Sequence, residues 1–69
     1  MKISARNKLT GTVVDVVKGA TTSHIRIDVG GNNIVTASIT NEAVDELQLA
    51  KGQRATAVIK ASDVLVAVD

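Results

Sequence analysis

Three short stretches of this 69-residue chain group cations, hydroxyls and backbone amides. The first is Ser4-Ala5-Arg6, inside an opening run that also carries Lys2 and Lys8 and holds no acid before Asp15. The second is Lys60-Ala61-Ser62, and the third begins at Thr40. A guanidinium offers five donors, a hydroxyl one and each backbone amide one. Thr40 heads a segment that reads as a helix, and helix N-termini favour anions. Brought together, these groups would present two positive charges, several hydroxyls and several amides. That set suits a tetrahedral dianion, whose oxygens are all acceptors. The two cations balance its charge, and the neutral donors fill its remaining lone pairs. Without such full satisfaction a dianion is expensive to bury. Spacing alone leaves a second reading open, in which Arg6 and Lys60 are solvated surface charges, Thr40 an ordinary cap and Ser62 a turn residue.

Other chemistry finds little to work with. His24 falls on the polar face of an alternating stretch and has no evident catalytic partner, so it reads as a solvated residue or a subunit contact rather than a base. The carboxylates are scattered, with no acid-rich cluster for calcium or magnesium. Cysteine is absent, and a lone histidine cannot make a zinc site within one chain. No phosphate-binding loop with a following Lys and Ser/Thr is present. The expectation is a binding protein, not an enzyme, with no metal cation and no organic cofactor.

Composition bounds the rest. A chain this short buries a modest fraction of its surface and needs help to be stable. Disulfides are ruled out, which leaves oligomerisation. Apolar residues make up 45% of the chain and none is aromatic, so the core must be built from Val, Ile, Leu and Ala. So many valines on a small domain suggest that some face a neighbouring subunit. The formal net charge is +1, from eight basic and seven acidic residues. That is too balanced to draw in nucleic acid non-specifically. The apolar stretches are too short to span a membrane, and the start lacks a signal peptide's apolar region. A soluble cytoplasmic protein without membrane or nucleic-acid partners is expected.

The elements that must position the three stretches follow from periodicity. His24–Val29 alternates, with Ile25, Ile27 and Val29 on one face. Residues 30–33, Gly-Gly-Asn-Asn, tolerate positive φ and read as a hairpin turn. Residues 33–39 alternate again, Val35, Ala37 and Ile39 sharing a face. Before them, residues 9–19 read as a longer strand whose Gly11 marks a bulge or bend. After them, Thr40 is a good N-cap. Ala43, Val44 and Leu47 fit a helix of about two turns that ends near Gly52. Residues 54–60 and 63–68 read as two more strands around a tight corner. The expected fold is all-β, one domain over residues 1–69. It is a five-stranded OB-fold-like Greek-key barrel with one short helix between the third and fourth strands. An SH3-like barrel is the structural alternative. OB domains that hold single strands stack bases on aromatic side chains, and none exists here.

The residues at 4–13, SARNKLTGTV, resemble the S-A-R-N-x-L-x-G-x-V opening of the molbindins, the Mop family of small molybdate-binding proteins with a TOBE-type OB domain. The likeness runs on through TASIT before the helix, ELQLAKGQ after it, and AVIKASDVLVAV at the end. It covers essentially the whole chain, and the length is similar to that of a free-standing single-domain member. The resemblance implies a hexamer built as a trimer of dimers, with molybdate held between subunits by charge and hydrogen bonds. Carried over, Ser4, Arg6, Lys60, Ala61 and Ser62 would come from one subunit and Thr40 from its neighbour. Relatives often have serine three residues after that threonine. Ala43 stands there instead, so one hydroxyl is missing while the Ala43 amide remains. The family also has a second kind of site near the threefold axes, for which Lys18, Thr21 and Thr22 are the candidates; an ordinary surface loop is the alternative. The implied function is an intracellular molybdate store or buffer that also accepts tungstate. The rivals are a small OB-fold nucleic-acid-binding module and an oligomerisation or regulatory domain without ligand.

Overall fold

The computed structural model describes residues 1–69. Its elements are β1 (Asn7–Lys18), β2 (Thr22–Gly30), β3 (Asn33–Thr40), helix α1 (Asn41–Leu47) and β4 (Arg54–Ile59), with a 3₁₀ turn at Ala61–Asp63. All pairings are antiparallel, in the order β3-β2-β1-β4. The sheet curls into a half-barrel.

Alternation builds the β2–β3 hairpin as the sequence implies. Ile25 and Ile27 are buried while His24, Arg26 and Asp28 are exposed. Val29, Val35, Ala37 and Ile39 pack half-buried against the core. The turn has Gly31 at φ 60° and Asn32 at φ 63°, between the paired residues Gly30 and Asn33. Two successive positive φ values are what a type I′ hairpin needs to match strand twist. The Gly30 amide donates to Asp28 Oδ1 at 2.9 Å, which anchors the turn.

β1 is the pivot. Asn7–Thr12 pair with β4, and Thr12–Lys18 pair with β2, so the strand changes partner at Thr12. A register shift between Val13 and Asp15 leaves Val14 as the extra residue of a bulge, which bends the strand. At the change of partner, Gly11 lies against β2: a Cβ there would sit 2.0 Å from the Asp28 carbonyl oxygen. The core gathers just beyond, from Val13, Ile25, Ile27, Val44 and Ala57. It is wholly aliphatic and small.

Two expectations are corrected. The helix ends at Leu47, not near Gly52. Gln48 adopts a left-handed conformation at φ 52°, its amide donates back to Asp45, and the Leu49 amide donates to the Val44 carbonyl. This αL stop turns Leu49 back onto the core. Gly52, at φ 91°, serves the turn into β4 instead. The second correction concerns residues 63–68, which form no strand, so the sheet has four strands rather than five. After β4 the 3₁₀ turn closes on itself, through Asp63 to Lys60 and Val64 to Ala61. The tail then leaves the sheet, with Leu65 at 92% and Val66 at 89% exposure. Its alternation asks for a pairing edge, and the turn does not return it to one in its own chain.

Gly11→Ala tests the pivot. The added methyl meets backbone, which cannot swing aside like a side-chain tip, so overpacking should cost at least about 1–3 kcal/mol. Urea unfolding followed by circular dichroism should show a lower midpoint. An unchanged midpoint would mean that β1 and β2 are not this close.

Candidate oxyanion site

The ladder between β1 and β4 brings two of the three stretches together. Its last pair is Asn7 with Ile59, and the Asn7 side chain adds a bond from Nδ2 to the Ile59 carbonyl at 3.3 Å. Arg6 immediately precedes that pair and Lys60 immediately follows it. Ser4-Ala5-Arg6 and Lys60-Ala61-Ser62 therefore lie side by side at one end of the sheet. Ser4, Arg6, Lys60, Ala61 and Ser62 are all exposed. Neither Arg6 nor Lys60 has a carboxylate within ion-pair distance; the chain's one ion pair is elsewhere. The 3₁₀ turn starts at Ala61, so the Ala61 and Ser62 amides are its first two and donate to no protein group. This corner holds two unpaired cations, two hydroxyls and two free amides, with Asp63 as its nearby acid.

Thr40 is not there. It ends β3, pairs with Thr22, and caps α1. Ser23, next to Thr22, pairs with Lys18 at the far end of β1 from Asn7. The twelve residues of β1 lie between the two groups, on the order of 35 Å along the strand at 3.3 Å per residue. The bulge at Val14 bends that path, but the pairing still places Thr40 and the Arg6–Lys60 corner at opposite ends of β1 rather than side by side.

The Thr40 half has its own chemistry. Thr40 Oγ1 accepts from the Ala43 amide at 3.1 Å. That bond engages the Ala43 N–H and leaves the Thr40 hydroxyl proton free to donate outward. The amide that would replace the missing serine hydroxyl is therefore available only by sharing. Lys18, Thr21 and Thr22 are neighbours of this half. Lys18 Nζ pairs with Asp45 Oδ1 at 2.8 Å, both side chains being largely exposed. Such a pair is weak and readily exchanged. The Thr21 carbonyl accepts from the Asn41 amide at 3.0 Å.

Sequence reasoning passed over Ser23 and Asn41. Ser23 is fully buried and its Oγ donates to Asn41 Oδ1. The signal was present: Ser23 shares the inward parity of Ile25 and Ile27, and an inward hydroxyl must find a partner.

The TOBE domain family matches over residues 3–66. A probable molybdenum-pterin-binding protein of Haemophilus influenzae is 45% identical over 69 residues, which is the whole of both chains. The chain belongs to the TOBE domain family, within its molbindin (Mop) group. Solved molbindin structures share its fold. A molybdate-binding protein from Sporomusa ovata superposes with a TM-score of 0.92 at 41% identity, covering 99% of this chain and all of the other. The cytoplasmic molybdate-binding protein ModG, with molybdate bound, gives 0.90 at 45% identity, covering 94% of this chain and 46% of that one. The OB-like architecture of the group accounts for the curled sheet and the helix after its third strand.

Thr40→Ala should cost about 1 kcal/mol of stability by removing the cap, while Thr40→Ser should cost much less. Thermal unfolding of the two variants separates them; equal melting temperatures would mean that the cap bond contributes nothing.

Proposed function

We propose that this molbindin binds molybdate reversibly between copies of itself and serves as a cytoplasmic store or buffer. The observation that carries the proposal is the division of donors along β1. Arg6, Lys60, Ser4, Ser62 and the Ala61–Ser62 amides form one half of a seat, and Thr40 with Ala43 forms the other. A second copy supplies the missing half. Charge balance supports a dianion: Arg6 and Lys60 contribute two positive charges that no carboxylate neutralises. Tungstate, of nearly the same size and charge, would be taken equally. The chain has no aromatic residue, so a pterin ring would have nothing to stack on, and the donor set favours the inorganic oxyanion alone. The Haemophilus relative is named for molybdenum-pterin, whereas ModG holds molybdate. Lys18, Thr21 and Thr22 are proposed as contributors to a second, weaker site where several copies meet.

Assembly, which we take to be a hexamer formed as a trimer of dimers, has its own support. Leu65, Val66 and Val68 are almost fully exposed in the single chain. The half-barrel leaves an apolar hollow of about 450 Å³, lined by Ile25, Ile27, Val35, Ala37, Ile39 and Leu49 among others. Apolar surface left this open on a small domain favours association. No helix of the chain is long and apolar enough to cross a membrane.

Calorimetry with molybdate, and sulfate as control, tests the seat. Arg6→Ala removes charged hydrogen bonds worth about 1.5–3 kcal/mol each, so affinity should fall at least tenfold while the fold is kept. Mixing Arg6→Ala with Thr40→Ala subunits, then exchanging them by dilution and reassembly, should restore binding, because some interfaces then carry both intact halves. Failure of the mixture to bind better than either parent would place the whole site within one chain. Separately, Leu65→Asp combined with Val66→Asp should lower the mass seen by light scattering and abolish molybdate uptake. A monomer that still binds would sink the interface reading.

A further inference from the structure

Ser23 is the one polar side chain that the fold buries completely. An unpaired hydroxyl there would be costly, and Asn41 Oδ1 relieves that cost by accepting from it. The rest of Asn41 is equally committed. Its Nδ2 donates to the Gly19 carbonyl at 3.0 Å and to the Ala20 carbonyl at 3.4 Å. Its backbone amide donates to the Thr21 carbonyl at 3.0 Å. The loop between β1 and β2 is itself closed by the Gly19 amide on the Thr22 carbonyl at 2.8 Å. Three successive loop carbonyls and the buried hydroxyl thus converge on one asparagine. Asparagine is a weak helix former, so helix propensity does not account for it as the first residue of α1. These bonds do.

Asn41 directly follows Thr40. Holding Asn41 at four points fixes the path by which the chain enters α1, and therefore the direction of the Thr40 hydroxyl. The Lys18–Asp45 pair ties the end of β1, where the loop begins, to the same helix from the exposed side. We propose that Asn41, seated by Ser23, is a positioning residue that joins the Gly19–Thr22 loop and the Thr40 half of the oxyanion seat into one mechanical unit. Capture of an oxyanion by Thr40 tightens the loop, and loosening the loop weakens capture. This inference rests on the interface seat proposed above.

The test combines molybdate calorimetry with amide hydrogen exchange on the assembled protein. In the wild type, molybdate should slow exchange of the Gly19 amide, which belongs to the loop and not to the seat. Asn41→Ala should bind molybdate at least tenfold more weakly with unchanged circular dichroism and assembly mass. At a molybdate concentration that fills its interface seat but not the weaker site at Lys18, Thr21 and Thr22, its Ala61 and Ser62 amides should still gain protection while Gly19 gains none. Ser23→Ala, which removes only the lock on the asparagine, should weaken binding several-fold, and it carries the test if Asn41→Ala does not fold. Wild-type affinity in both folded variants would overturn the proposal. So would a wild type that binds molybdate without any change at Gly19. Arg6→Ala supplies the last arm, at a molybdate concentration that saturates only the wild type. Protection of Gly19 persisting there would mean direct binding at the loop and would also overturn the latch. Wild-type protein that takes up no molybdate overturns the oxyanion reading itself, and the latch as a device of that seat with it.

Discussion

At Gly11 the carbonyl of Asp28 occupies the space that any other residue's side chain would need. At that contact the β4 ladder ends and the β2 ladder begins, both at Thr12, with Val13 keeping two further backbone bonds to Gly52 and Gln53. The curl of the sheet, the inward aim of Val13 and the hollow beneath it follow from that exchange of partners. So does the placement of polar groups. Because β1 serves β4 with one end and β2 with the other, the segments flanking it are carried to opposite extremities. The basic corner and the helix start are separated by the same strand that makes the fold possible.

The electrostatics of the two extremities differ in kind. At the basic corner, Arg6 and Lys60 are left without carboxylate partners, and two amides point to no acceptor. Around the helix start nearly everything is already spoken for. Lys18 is paired with Asp45, the Ala43 amide is held by Thr40, and Asn41 has no polar atom to spare. The charged half is therefore unsatisfied and exposed, while the other half is largely bonded within its own chain, with the Thr40 hydroxyl proton left to donate.

Much of this is legible in the sequence, for reasons that can be traced. Period-two alternation marks β2 and β3 because each has one wet and one dry face. The turn between them is readable because residues 30–33 are all Gly or Asn. Arg6 and Lys60 stand out by type, but their adjacency depends on a pairing between residues 7 and 59, which no local pattern contains. The helix end was misjudged because Gln48 accepts a left-handed conformation usually left to glycine. The strand expected at 63–68 has the right alternation, yet alternation states only that an edge is wanted. Whether the chain's own path leads back to such an edge is a tertiary fact. Ser23 and Asn41 escaped notice because each looks ordinary alone, and only their contact shows what both are for.

The pairing of Asn7 with Ile59 also has a kinetic side. β1, β2 and β3 form a meander whose neighbours are close in sequence, so its loops close at little entropic cost. Joining β1 to β4 requires the chain to close on itself across a separation of 52 residues, and long closures come late. A partly folded or still-growing chain would present Thr40 and the Asn41 bonds, but not the basic corner, since Lys60 has yet to arrive beside Arg6. The adjacency of Arg6 and Lys60 is thus the last feature to be assembled. A chain that has not finished folding therefore lacks the concentrated positive charge of that corner.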